Sequence, residues 1–191
     1  MFIQTADTPN PATMKFIPGE DVLGDGGAMD FAGPDDAAAS PLARALFELD
    51  FVERVFLGSD FIAVTKSKGE WQHLKPSVLG VIMDHFVSGQ PIVDAGHQAA
   101  SSPVDETEYS DEEEEIVEQI IDLLDTRVRP AVAQDGGDIV FNRYQDGIVY
   151  LHMRGACSGC PSSTFTLKAG IENLLRHYVP EVQGVEQVEQ V

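Results

Sequence analysis

Between Ile116 and Val128 the apolar positions recur at helical spacing. Ile116, Val117, Ile120, Ile121, Leu124 and Val128 make one broad stripe that predicts an amphipathic helix. The "SDEE" before it supplies a capping box from Ser110 to Glu113, and acids in the first turn suit the positive end of the helix dipole. Pro130 marks the expected end of this helix. After "QDGG" the pattern changes to "DIVFNRY", a turn at Asp146–Gly147 and "IVYLHM", which predict a β-hairpin. Pro161 then opens a helix with Leu167, Ile171, Leu174 and Tyr178 on one face and Leu175 beside them. "VEQVEQV" reads as a closing edge strand, although an apolar spacing of three is poor strand patterning. The expected order is α-β-β-α-β.

The N-terminal half has different punctuation. "MFIQT", "TMKFI" and "AMDFA" are strand-like and separated by Pro and Gly clusters. "SPLARALFEL" predicts a helix with Ser40 as N-cap, Pro41 at its first position, and Leu42, Leu46 and Leu49 on one face. "VERVFLGSDFIAVTK" predicts a hairpin turning at Gly58–Asp60, and "KPSVLGVIMDHFV" a second helix. No catalytic set is legible here: Trp71, His73 and His85 read as packing or surface residues. The half is assigned a structural or recognition role.

Between these halves the composition shifts. "QPIVDAGHQAASSPVDETEYSDEEEE" is rich in Ala, Ser, Pro and acid and poor in large apolar side chains, so too little surface can be buried to order it. The expectation is α+β: two small α/β domains, 1–90 and 112–191, joined by an acidic flexible linker over 91–111, with no internal repeat. Twelve basic against 32 acidic residues leave a net charge of −20. Phosphate backbones and anionic lipid repel such a chain, so nucleic acid and membrane surfaces are poor partners and proteins better ones. No apolar run approaches the ~20 residues of a membrane span. The N-terminal stretch has neither a basic n-region with an apolar core nor the Arg of an amphipathic transit peptide, so neither leader is expected.

Both cysteines, Cys157 and Cys160, lie in "RGACSGCPSSTF" between the hairpin and the last helix. Two cysteines do not make a disulfide framework. A site at a helix N-terminus favours the thiolate, so a lowered thiol pKa is expected. Gly155 and Gly159 let the backbone approach whatever the sulfurs hold. A structural zinc or iron–sulfur site takes about four protein ligands. Only His152 lies close in sequence, and its side chain could face either way. Two copies of the loop across a two-fold axis supply four thiolates, which points to a centre shared by a homodimer. A redox dithiol and an inert pair remain open; against the former, Pro161 follows the motif rather than sitting within it. "QDGGD", 134–138, reads as a glycine-dependent turn feeding a strand, and Ser162, Ser163 and Thr164 as helix-capping residues rather than nucleophiles.

The stretch "LLDTRVRPAVAQDGGDIVF…GIVYLHMRGACSGCPSSTFTLKAGIENLLRHYVPEV" closely resembles the NifU-like C-terminal domain of Nfu-type iron–sulfur proteins. "MFIQTADTPNPATMKFIPG", "SPLARALFELDFVERVFLGSDFIAVTK" and "W…LKP" resemble the Nfu N-terminal domain. The resemblance implies a non-enzymatic scaffold or carrier that holds a 4Fe–4S cluster between two subunits and passes it to apo-proteins. Cys157 and Cys160 would then be the cluster and metal ligands; 2Fe–2S remains possible, since four thiolates suit both. Implied partners are a second subunit when cluster-bound, apo iron–sulfur targets and an upstream assembly scaffold. The expected location is the bacterial cytoplasm, or the mitochondrial matrix for a processed eukaryotic form. The rival activity is a thiol–disulfide oxidoreductase using the same pair; zinc bridging a dimer is a third reading.

Overall fold

The computed structural model of the chain describes residues 2–24, 27–94, 109–158 and 161–188. Most of the expected linker, residues 95–108, lies outside the described residues. On either side of it stand two α+β domains with separate cores.

The N-terminal domain is a five-stranded antiparallel sheet: β1 (Gln4–Asp7), β2 (Thr13–Ile17), β3 (Met29–Phe31), β4 (Val52–Leu57) and β5 (Ile62–Lys66), in the order β1-β2-β5-β4-β3. Helices α1 (Pro41–Phe47) and α2 (Trp71–Ser88) cover one face. Strand alternation sends Phe16, Phe31, Val55, Leu57, Ile62 and Val64 to that side, where Leu42 and Leu46 of α1 and Val78 and Ile82 of α2 meet them. The opposite face carries Lys15, Asp30, Phe56 and Ala63. The hairpin turns where the sequence places it, and α1 is capped as expected, with the Ala43 amide donating to Ser40 Oγ at 3.1 Å. Helix α2 begins at Trp71, earlier than Lys75, and takes Pro76 inside it as its sixth residue, where proline has no N–H to donate to the Gln72 carbonyl four residues back.

The C-terminal domain runs α3 (Asp111–Leu123), α4 (Arg129–Gln134), β6 (Gly137–Gln145), β7 (Ile148–Gly155), α5 (Pro161–Tyr178) and β8 (Gly184–Gln187). Its sheet has the order β6-β7-β8, with β8 parallel to β7 at the edge. Pro130 does not end the first helix, contrary to expectation. Residues Leu124–Val128 form a π-turn in which the Arg129 amide donates to the Leu124 carbonyl five residues back. The widened turn lets Pro130, which has no N–H, enter at the second position of α4. On α5 the buried residues are Ile171 and Leu175, while Tyr178 lies outward with the Arg127 guanidinium 5.1 Å from its ring. The hairpin turn is tight: Asp146 (φ 51°) and Gly147 (φ 81°) both take left-handed backbone, as a type I′ turn requires.

Ser40 is fully buried, and its hydroxyl also donates to the Ile92 carbonyl at 2.6 Å. Ser40→Ala therefore removes a cap and strands a carbonyl. We expect a loss of about 2 kcal/mol in the urea unfolding of the full chain. A loss below about 0.5 kcal/mol would show the cap to be dispensable.

Candidate functional site

The site is built on the base of the β6–β7 hairpin. There the register sets Gly137 directly opposite Gly155, so two adjacent strands lack side chains at one level. Each gap is filled from elsewhere. A Cβ at Gly137 would stand 2.5 Å from Cys157 Sγ and 2.8 Å from the Arg154 carbonyl oxygen. A Cβ at Gly155 would stand 2.7 Å from the Gly136 carbonyl oxygen and 3.0 Å from Phe56 Cγ of the N-terminal domain. The glycines thus admit a thiol on one strand and an aromatic ring on the other.

Left-handed backbone at Gly136 (φ 78°) and Gly155 (φ 62°) turns the chain into and out of this base. The Ala156 amide donates to the Gly136 carbonyl at 3.1 Å, and the Ser158 amide to the Gly155 carbonyl at 3.0 Å, closing a turn around Cys157. Thr164 in the first turns of α5 donates its hydroxyl to the Cys157 carbonyl at 3.1 Å. It therefore staples the loop to the helix rather than capping it. Cys160 and Gly159 lie outside the described residues, as do the side chains of Ser162 and Ser163.

Cys157 is a free thiol, 5% exposed, within the core of the C-terminal domain. Its expected low pKa is not found. Burial, and then the charges of Asp135 and Asp138, push the thiol up to about 12. The helix dipole loses because the sulfur turns inward under Gly137, where desolvation disfavours the thiolate.

Asp138 is buried and forks onto Arg129, with Nε–Oδ1 at 2.8 Å and Nη2–Oδ2 at 3.2 Å. Arg129 also reaches Asp125 at 3.1 Å, and these carboxylates raise its pKa despite partial burial. This pair ties the start of α4 to the strand that seats the cysteine turn. It escaped the sequence reading because residues nine apart on different elements leave no periodic signal.

His152 pairs with Val140 across the ladder and reaches the Asn142 side chain, its Nε2 3.1 Å from the amide nitrogen. Strand alternation puts it on the face opposite Leu151 and Met153, which share the core with Cys157. It is therefore not brought to the thiol. Among the described residues, no three side chains of the His, Cys, Asp or Glu type gather in a metal-binding group. Trp71 packs edge-on against Phe16 at 6.1 Å, His73 is exposed and His85 is buried on α2, so the three do not converge.

A cysteine turn seated on paired glycines thus lies between a hairpin and a helix, against a second α+β domain. Residues 3–89 match the family described as Scaffold protein Nfu/NifU N terminal, and residues 120–186 the NifU-like domain. The chain therefore carries an Nfu/NifU N-terminal domain and a NifU-like domain in one polypeptide. Over 98% of its length it is 53% identical to a Drosophila virilis protein named NFU1 iron-sulfur cluster scaffold homolog, mitochondrial. It is equally similar to the protein of that name from Drosophila ananassae. It spans 62% and 64% of those relatives, less than two thirds of their length. A solution structure of a NifU-like protein from Saccharomyces cerevisiae covers 50% of this chain and 86% of its own, at 22% identity and a TM-score of 0.45.

Gly137→Ala should force the thiol or the hairpin aside. The expected loss is about 1–3 kcal/mol by urea unfolding, as for other overpacked cores. The circular-dichroism spectrum should stay that of a folded protein. A variant as stable as the wild type would mean that the seat is slack.

Proposed function

We propose that the chain is a non-enzymatic iron–sulfur cluster scaffold and carrier, with Cys157 and Cys160 as its ligands. The observation that carries this reading is the thiol of Cys157 in a glycine-seated turn of a NifU-like domain. The names of the relatives support it. Two thiolates per subunit complete a set of about four when two loops face each other, so the cluster is held across a homodimer. A 4Fe–4S cluster is the cargo we favour.

Delivery proceeds by thiolate exchange. Cysteine thiolates of an apo-protein replace those of Cys157 and Cys160 on iron, with no net oxidation of either protein. Partners are then the second subunit, apo iron–sulfur targets and an upstream assembly scaffold. The N-terminal domain, 1–90, contributes recognition, and 112–191 holds the cargo. The names of the relatives support a mitochondrial location and lend nothing to the bacterial cytoplasm. No helix among the described residues is long and apolar enough to cross a membrane.

The test is iron and acid-labile sulfide per chain on anaerobically prepared protein, with native mass on the same sample. About two irons and two sulfides per chain in a dimer are expected, and about one of each would mean a 2Fe–2S cluster. Cys157→Ser should lose both. A monomer that binds neither after reconstitution, yet cycles a reversible disulfide, would replace the carrier with a thiol–disulfide oxidoreductase.

A further inference from the structure

The face of the N-terminal sheet turned away from α1 and α2 carries one cross-strand row. In register, Lys15 of β2, Ala63 of β5, Phe56 of β4 and Asp30 of β3 lie side by side. The first three meet the C-terminal domain at the base that seats the cysteine turn, and Asp30 lies within reach of the Arg154 charge. Lys15 Nζ donates to the Ala133 carbonyl at 2.7 Å. That carbonyl lies at the end of α4, where the helix dipole favours a cation. The same ammonium stands 4.2 Å from the centre of the Phe61 ring. Ala63 stands against Gly136 and Phe56 against Gly155, each within van der Waals reach of the place a side chain would take. Asp30 is paired with Arg54 at 2.5 Å, and burial raises its pKa against the opposing charges of Arg54 and Arg154.

Gly136 and Gly155 are also the points at which the chain enters and leaves the hairpin base that seats Cys157. Cys157 follows Gly155 by two residues, and Phe56 Cγ stands 3.0 Å from the place a Cβ would take at that glycine, so the docked sheet leaves its backbone little room to move. Buried Phe56, Phe61 and Ala63 form a small apolar cluster with Ala133, distinct from both domain cores. It is small, and its edge is anchored by the charge-assisted Lys15–Ala133 hydrogen bond, so it can part without unfolding either domain.

We propose that this row is an autoinhibitory clamp: the docked N-terminal sheet locks the Gly136–Gly155 base and keeps Cys157 inside, and undocking frees the thiol for cargo. The proposal rests on the carrier reading for the identity of that cargo, while the clamp itself is a property of the apo chain. Closure holds Cys157 away from a second subunit, so release of the N-terminal sheet must precede assembly of a shared site. The surface that gates the thiol is then the same surface a protein partner would compete for.

The experiment is the alkylation rate of Cys157 by iodoacetamide in the full apo chain, resolved at the peptide level from Cys160. When opening is fast and rare, that rate follows the open fraction. Lys15→Ala should raise it about ten-fold, the effect of losing one charge-assisted hydrogen bond. Lys15→Arg, which keeps a donor and a charge, should stay within about three-fold of the wild type. Phe56→Ala should exceed Lys15→Ala, and circular dichroism on each variant separates undocking from unfolding. Iron and sulfide uptake are measured in parallel. Rates unchanged by Lys15→Ala and Phe56→Ala, in a wild type that still takes up iron and sulfide, overturn the clamp and leave the carrier standing. Raised rates with no uptake by any form support the clamp and overturn the carrier.

Discussion

Two glycines facing each other across adjacent strands, Gly137 and Gly155, are the constraint on which the functional end of this protein depends. Antiparallel neighbours normally stabilise a sheet through facing side chains. Here that contribution is absent at one level, and the space is given to Cys157 from within the domain and to Phe56 from outside it. A glycine pair weakens the ladder locally, so the surroundings must compensate. The Asp138–Arg129 fork, the Ala156 amide on the Gly136 carbonyl and the Thr164 hydroxyl on the Cys157 carbonyl do so. Each is a directional bond between different elements.

The chemistry of the thiol follows from the same packing. A cysteine that ligates a metal does so as a thiolate, whereas Cys157 rests where burial and two carboxylates favour the neutral thiol. On the proposed carrier reading, binding of cargo would oppose the resting packing, and some of the binding free energy would go into turning the sulfur outward.

Much of the architecture was legible beforehand because the signals were local. The Ser40 cap, the Asp146–Gly147 turn, the stripe from Val117 to Val128 and the two-half organisation all rest on spacing within a few residues. Pro130 misled for a physical reason: proline forbids one hydrogen bond, and a π-turn removes the need for that bond. Tyr178 misled because helical spacing places a residue on a face, while the width of the buried strip depends on what packs against it. The sign of the Cys157 pKa shift was misjudged because proximity to a helix start does not say which way a sulfur points.

By itself the sequence determined the elements, the two cores and the pair of thiols placed between a strand and a helix. It also identified the two domain families, since these are matters of residue type and short-range order. Tertiary structure decided what the thiol experiences. Gly137 against Cys157, Arg129 against Asp138, and the row from Lys15 to Asp30 against the base of the turn all join residues far apart in the chain or on separate elements. Desolvation and close approach act through space, and no spacing along one chain records which distant surface will supply them.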